Sequence, residues 1–235
     1  MTTGARITSQ NIANADLFSG VPDLALEVVA AAGRTRRVSS AKRIFNQGDD
    51  TVRAHLVLEG AVRISQTGSD GAQVVMRFVG PGEMFGTVAL FTDGRYPADA
   101  TALADTLEAS WSEADLLNLM GRYPQIAINA IRIIGKRLQE VQNRMRELAT
   151  QSAERRIAHV LLRLVRQCGY NTDTGTTINF SLRRKDVADV AGTTLYTASR
   201  ILTGWQKAGV VVSQRRRLTI RNSSELLRIA EESTD

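Results

Sequence analysis

The side chains best equipped for chemistry lie near the C-terminus. Residues 181–211 read SLRRKDVADVAGTTLYTASRILTGWQKAGVV. Their apolar spacing predicts a short helix over 183–191, a stop at Gly192 and a second helix over 194–207. Two helices joined by a short glycine-containing turn form a helix-turn-helix. Val187, Val190, Ala198, Ile201, Leu202 and Trp205 are spaced to hold the pair at a fixed angle. Leu195, Tyr196, Ser199 and Arg200 then fall on the outward, N-terminal part of the second helix, the part that such motifs lay in a major groove. Thr194 has the chemistry of an N-cap, and the unpaired N–H groups behind it suit a phosphate. Residues 209–221 read as strand, basic tip, strand. A hairpin with Arg215, Arg216 and Arg217 at its turn is a wing suited to backbone phosphates.

The remaining residues offer little reactive chemistry. A single cysteine, Cys168, excludes an internal structural disulfide, a cysteine-bound zinc site and a four-cysteine iron–sulfur cluster, and it fits a reducing compartment. His55 and His159 are the only histidines. A metalloenzyme on a β-roll needs about three clustered His or carboxylate ligands, so neither a metal site nor an enzyme is expected. The formal net charge is +6, and its placement matters more than its size. Residues 151–235 hold 14 Lys+Arg against 8 Asp+Glu, while residues 1–150 hold 16 of each. A neutral body with a basic C-terminal domain points to a polyanion partner. Met1–Gln10 is polar, and no apolar run approaches a membrane span, so a cytoplasmic protein without a membrane partner is expected.

The chain has 235 residues, 43% of them apolar and 23% charged, as in ordinary globular proteins. Residues 14–32 show helical spacing broken near Gly20-Val-Pro22. From about Arg37 to Trp111, β-prone runs at 54–58, 61–65, 72–79 and 106–111 alternate with glycines, which predicts an antiparallel sandwich or roll. Thr67-Gly-Ser-Asp-Gly71 reads as a hairpin loop, and Ser112-Glu-Ala-Asp115 as a capping box. Pro124 opens a long helix in which Ala127, Ile131, Ile134, Leu138, Val141, Met145 and Leu148 recur at spacings of four and three. Flanked by Arg, Lys, Glu and Gln, this stripe reads as a coiled-coil seam and predicts a homodimer. A second helix over 153–168 carries a broader apolar face and ends at Gly169, read as its C-cap. A polar loop over 170–177 and a short strand near 178–180 follow.

Taken in order, these parts resemble the CRP/FNR family of bacterial transcription regulators over about residues 15–228. The resemblance rests on Phe45-Asn-Gln-Gly48, Leu58-Glu-Gly60, Pro81-Gly-Glu-Met-Phe-Gly86 with Leu90-Phe91, Arg137-Leu138, and above all Gly192-Thr-Thr-Leu-Tyr-Thr-Ala-Ser-Arg-Ile-Leu202. It implies an α+β chain: an N-terminal tail (1–14), an antiparallel, cyclic-nucleotide-binding-like β-roll (15–124), a dimerisation helix (125–150) and a C-terminal winged helix-turn-helix domain (151–235). It implies double-stranded DNA and a second copy of the chain as partners, with RNA polymerase recruited or blocked. By the same resemblance Arg183, Lys185, Thr194, Thr197, Gln214 and Arg216 match phosphate-contacting positions. Arg200 is retained and fits a bidentate contact to guanine O6 and N7. Tyr196 stands where many members carry a glutamate, so half-sites are expected to keep a guanine and differ elsewhere.

The effector site departs further. Cyclic-AMP-binding members use a glutamate for the ribose hydroxyl and an Arg-Ser pair for the phosphate. Here Gly86 is kept, but those positions are Thr87, Pro97 and Ala98. The Thr-Ser pair that reaches adenine from the long helix is Val141 and Gln142. A buried phosphate needs a paired cation or several donors, so cyclic AMP is not expected as effector. No other effector or cofactor is assigned from the sequence. Iron–sulfur sensing lacks its cysteines, and haem would need His55 or His159, which read as structural histidines. Cys168 reads as helix-end packing. The competing functional classes are a sensory module acting on a protein partner, which would leave the helix-turn-helix and wing without a role, and a β-roll metalloenzyme.

Overall fold

A computed structural model describes residues 7–214 and 217–231. The chain divides into two compact units. One holds the residues up to Gln66 and Val79–Gln139; the other holds Thr67–Phe78 and the chain from Glu140 on.

Chain order in the first part runs through helices α1 (Ser9–Ala13) and α2 (Asp23–Ala32), then strands β1 (Arg34–Val38), β2 (Arg43–Phe45), β3 (Arg53–Glu59), β4 (Val62–Thr67), β5 (Gln73–Val79), β6 (Met84–Phe85), β7 (Asp99–Ala102) and β8 (Thr106–Ser112). Two antiparallel sheets result, with orders β1-β8-β3-β6 and β2-β7-β4-β5. Helix α3 (Glu113–Arg122) starts at Ser112, whose hydroxyl accepts the Asp115 N–H at 3.2 Å, as the capping pattern requires. Helix α4 (Pro124–Thr150) then runs for 27 residues.

Strand β3 shows how the sequence divides two cores. Successive side chains point to opposite faces. Ala54 and Leu56 join the helix-covered core with Phe18, Val29 and Trp111, whereas Val57 joins a second core with Phe45, Val62, Phe85, Tyr96 and Ala100. Trp111 packs edge-on to Phe18 and donates its indole N–H to Val29 O at 2.8 Å. Gly33 makes room for it, since a Cβ there would stand 2.9 Å from the indole. Ile7 and Ile12, placed in a tail by the sequence, are buried in this core, and Thr8 caps α1 over them.

The second unit continues with α5 (Ala153–Cys168), β9 (Gly169–Thr172), β10 (Gly175–Ile178), α6 (Arg184–Ala191), α7 (Leu195–Lys207), β11 (Val211–Gln214), β12 (Arg217–Ile220) and α8 (Ser223–Glu231). Its sheet has the order β11-β12-β10-β9. Two sequence expectations are corrected here. The polar stretch 170–177 forms most of a β-hairpin rather than a loop, and the strand expected near 178–180 ends at Ile178. Gly169 does end α5, but with φ −86° and ψ 149° it is extended rather than left-handed. Glycine is needed there because a Cβ would run into Val165 O.

Candidate nucleic-acid interface

The helix-turn-helix is built by α6 and α7. Helix α6 stops where Gly192 turns left-handed at φ +60° and ψ +47°. The Thr193 N–H bonds Ala188 O at 3.0 Å and the Gly192 N–H bonds Asp189 O at 3.2 Å, the paired bonds of a Schellman ending. Thr194 then caps α7, its hydroxyl accepting the Thr197 N–H at 3.1 Å. Val187, Val190, Ala198, Leu202 and Trp205 are buried, with Ile201 half-buried. The Trp205 indole N–H reaches Glu154 Oε1 on α5 at 2.9 Å.

Burial on one face of α7 leaves the other free. Tyr196 is 78% exposed and Leu195 51%; Arg200 is exposed and Ser199 half-buried. These four therefore share the outward, N-terminal part of α7. Thr194 is exposed and Thr197 half-buried, each hydroxyl engaged with the other at 3.0 Å.

Of the other residues matched to phosphate contacts, Arg183 and Lys185 also have side-chain partners. Arg183 makes a two-toothed ion pair with buried Asp186, at 2.6 and 2.9 Å. Burial pushes the Asp186 carboxyl up, and Arg183 offsets this only in part. Lys185 holds both oxygens of Asp189, at 2.9 and 3.0 Å. On the hairpin Gln214 pairs with Arg217 in register, both exposed, and Arg217 reaches Tyr170 OH on β9 at 3.4 Å. Arg215 and Arg216 lie outside the described residues.

Three further arginines shape the motif, and the sequence reading missed them. Arg184 bonds Ser199 O, Thr203 Oγ1 and Gln206 Oε1 at 3.2–3.4 Å, strapping α6 along α7. Arg144 and Arg156 hold carbonyls at the end of α6. Their partners are backbone atoms far along the chain, which no local spacing announces.

On α4, six residues of the apolar stripe (Ile131, Ile134, Leu138, Val141, Met145 and Leu148) are 45–70% exposed, and Ala127 is half-buried. Exposed apolar stripes of this length mark interaction surfaces.

Gly86 sits at φ +72°, with space for a Cβ closed off by Arg53 O, His55 and Tyr96 at 2.9–3.1 Å. Thr87 is half-buried, Pro97 exposed and Ala98 buried; in the second unit, Val141 and Gln142 are exposed. A cavity of about 560 Å³ in the first unit is lined by other residues, among them Asp16, Asn129, Arg132 and Lys136.

Behind Gly86 lies a polar array inside the roll that the sequence did not reveal. His55 Nδ1 is 2.7 Å from Glu108 Oε2, and its Nε2 is 3.1 Å from Tyr96 OH. Arg36 Nε donates to Glu108 Oε1 at 2.8 Å. Tyr96 stacks on Phe45 with ring centroids 3.6 Å apart, and burial pushes its hydroxyl up to about 12. Burial alone would raise the Glu108 carboxyl, but His55 and Arg36 outweigh it and hold the group below its ordinary value. His159 is half-buried on α5, where burial lowers its affinity for a proton. Cys168 is buried at the end of α5.

A β-roll, a long helix and a C-terminal helix-turn-helix beside a strand hairpin define a DNA-binding regulator of transcription. Residues 35–123 match the cyclic nucleotide-binding domain, and residues 155–229 match the Crp-like helix-turn-helix domain. The cyclic AMP receptor protein of Thermus thermophilus is 32% identical over 195 residues, 83% of this chain and 87% of that protein. The nitrogen fixation regulation protein FixK of Azorhizobium caulinodans is 30% identical over 207 residues, 86% of this chain and 82% of that protein. The structure of FixK2 from Bradyrhizobium japonicum matches with a TM-score of 0.73 at 24% identity, over 86% of this chain and 99% of that one. The chain belongs to the CRP/FNR family of transcription regulators. These relatives are regulators rather than enzymes, and no helix among the described residues is long and apolar enough to cross a membrane.

Proposed function

We propose that the protein is a cytoplasmic homodimer that reads a two-fold DNA operator with α7 and does so without cyclic AMP. The observation that carries this reading is the outward face of α7, where Leu195, Tyr196 and Arg200 stand exposed on a helix whose other side is anchored by Ala198, Leu202 and Trp205. Pairing of two chains along Ala127–Leu148 sets two such helices about 34 Å apart, one turn of DNA. Arg200 takes a guanine, Leu195 or Tyr196 packs on a thymine methyl, and Ser199 contacts a base or phosphate. Arg183, Lys185, Thr194, Thr197, Gln214 and the Arg215–Arg217 tip engage the backbone, with Arg183 and Lys185 exchanging Asp186 and Asp189 for phosphate. The β-roll (15–124) governs how the DNA domain (151–235) is held, and the bound dimer recruits or blocks RNA polymerase.

Independence from cyclic AMP is supported by side-chain chemistry, although the Thermus relative is named a cyclic AMP receptor protein. Thr87, Pro97 and Ala98 bring no charge to a cyclic phosphate, and buried phosphate demands one or several donors. Selection from randomised two-fold sites at moderate salt, with and without cyclic AMP, tests both parts. The expected outcome is one enriched site with a guanine in each half and the same affinity in both conditions. Failure to enrich any site refutes the DNA reading; micromolar cyclic AMP binding by calorimetry refutes the independence.

A further inference from the structure

Arg144, on α4 within the second unit, spends its guanidinium on backbone carbonyls. Nη2 donates to Val190 O at 2.6 Å and to Asp189 O at 3.5 Å, while Nη1 donates to Met76 O on β5 at 2.7 Å. The last turn of a helix leaves carbonyls without intrahelical partners, and a cation there meets the negative end of the helix dipole. Arg156, on α5, serves the next two carbonyls: Nε donates to Ala191 O at 2.8 Å and Nη2 to Gly192 O at 3.2 Å. Four consecutive carbonyls at the turn of the helix-turn-helix are thus held by two arginines from outside it. Leu148 closes the other side, since a Cβ on Gly192 would run into its side chain.

We propose that Arg144 is a positioning residue that sets the direction in which α7 is presented from the α4 stripe. The proposal rests on the reading of α7 as the DNA-reading helix of a dimer. Arg144 follows Val141 and precedes Met145 of the exposed stripe. One side chain therefore spans the distance from the stripe to the turn that aims α7. The planar guanidinium fixes two directions at once, whereas a lysine ammonium would satisfy a carbonyl as a point donor and leave the angle loose. The third bond adds strand β5 to the same group, so a shift of that strand has a direct route to α6.

The test measures spacing selectivity. Wild-type protein, Arg144→Ala and Arg144→Lys are each titrated against operators whose half-sites stand one turn apart or are moved by one or two base pairs. Melting curves and oligomeric state are recorded alongside. Wild type is expected to prefer one spacing; both variants are expected to stay dimeric and to lose that preference by roughly three- to thirtyfold, the size of coupling changes made by residues that touch neither ligand. The lysine variant keeps the charge, so it answers the question even if the alanine variant folds poorly. A variant that melts earlier but keeps the wild-type spacing preference overturns the proposal and leaves Arg144 a structural cap. Wild-type protein with no preference among any operators overturns the DNA reading, and this assignment with it.

Discussion

On the outward face of α7, Arg200 carries five N–H donors in a fixed fork, enough to take guanine O6 and N7 together. Arg200→Ala should therefore cost about 1–3 kcal/mol on the preferred operator, roughly tenfold or more in affinity, and much less on unrelated DNA. Competition gel shifts would show this, with the dimer unchanged in size. Glu108 makes a different kind of prediction. Its carboxyl titrates below the ordinary 4.5 in the folded chain. An acid whose folded pKa is depressed stabilises the fold above its unfolded value and loses that contribution as pH falls through the folded one. The first unit should therefore melt progressively earlier as pH drops below about 5. Glu108→Gln should start from a lower melting temperature at neutral pH and show a shallower acid slope, measured by thermal melts across pH.

Gly192 links local conformation to the motif it builds. A left-handed backbone costs an L-residue about 1–2 kcal/mol before any clash, and the added Cβ of Gly192→Ala would also meet Leu148. The variant should lose at least that much stability in the second unit and weaken operator binding, read by denaturant titration and gel shift. Helices such as α5 and α7 were legible because apolar residues recur at helical spacing and polar caps mark their starts. Thr194 and Ser112 do in space what their sequence context implies. The β9–β10 hairpin was not legible, because its residues are mostly small or polar, four of them threonines, with little alternation to read. Pairing of Thr176 and Thr177 with Ile220 and Thr219 on β12 holds it, and no local signal reports such a partner. Strand β1 was only partly read for a related reason: its Arg-Thr-Arg-Arg start lies at the sheet edge, where charge is tolerated. The His55–Glu108–Arg36 array joins residues 53 and 72 positions apart, so side-chain spacing carries no trace of it.

For the molecule as a whole, the excess charge and the apolar stripe make separate demands. All of the +6 lies beyond residue 150, so DNA affinity should fall steeply with salt as counterions return to the phosphates. The stripe belongs to both units: Ala127, Ile131, Ile134 and Leu138 lie in the first, Val141, Met145 and Leu148 in the second. Leu138→Glu should give monomers by light scattering, with little operator affinity but an intact helical spectrum; a dimeric variant would move the seam elsewhere. In the proposed dimer the surface for pairing and the surface for reading are carried by different side chains, so they can fail separately. A copy that has lost Arg200 but kept its stripe would still capture healthy copies, leaving each mixed pair with one competent half. Co-expressed in excess, such a chain would be a poison subunit, and a single damaged allele would dominate over the sound one.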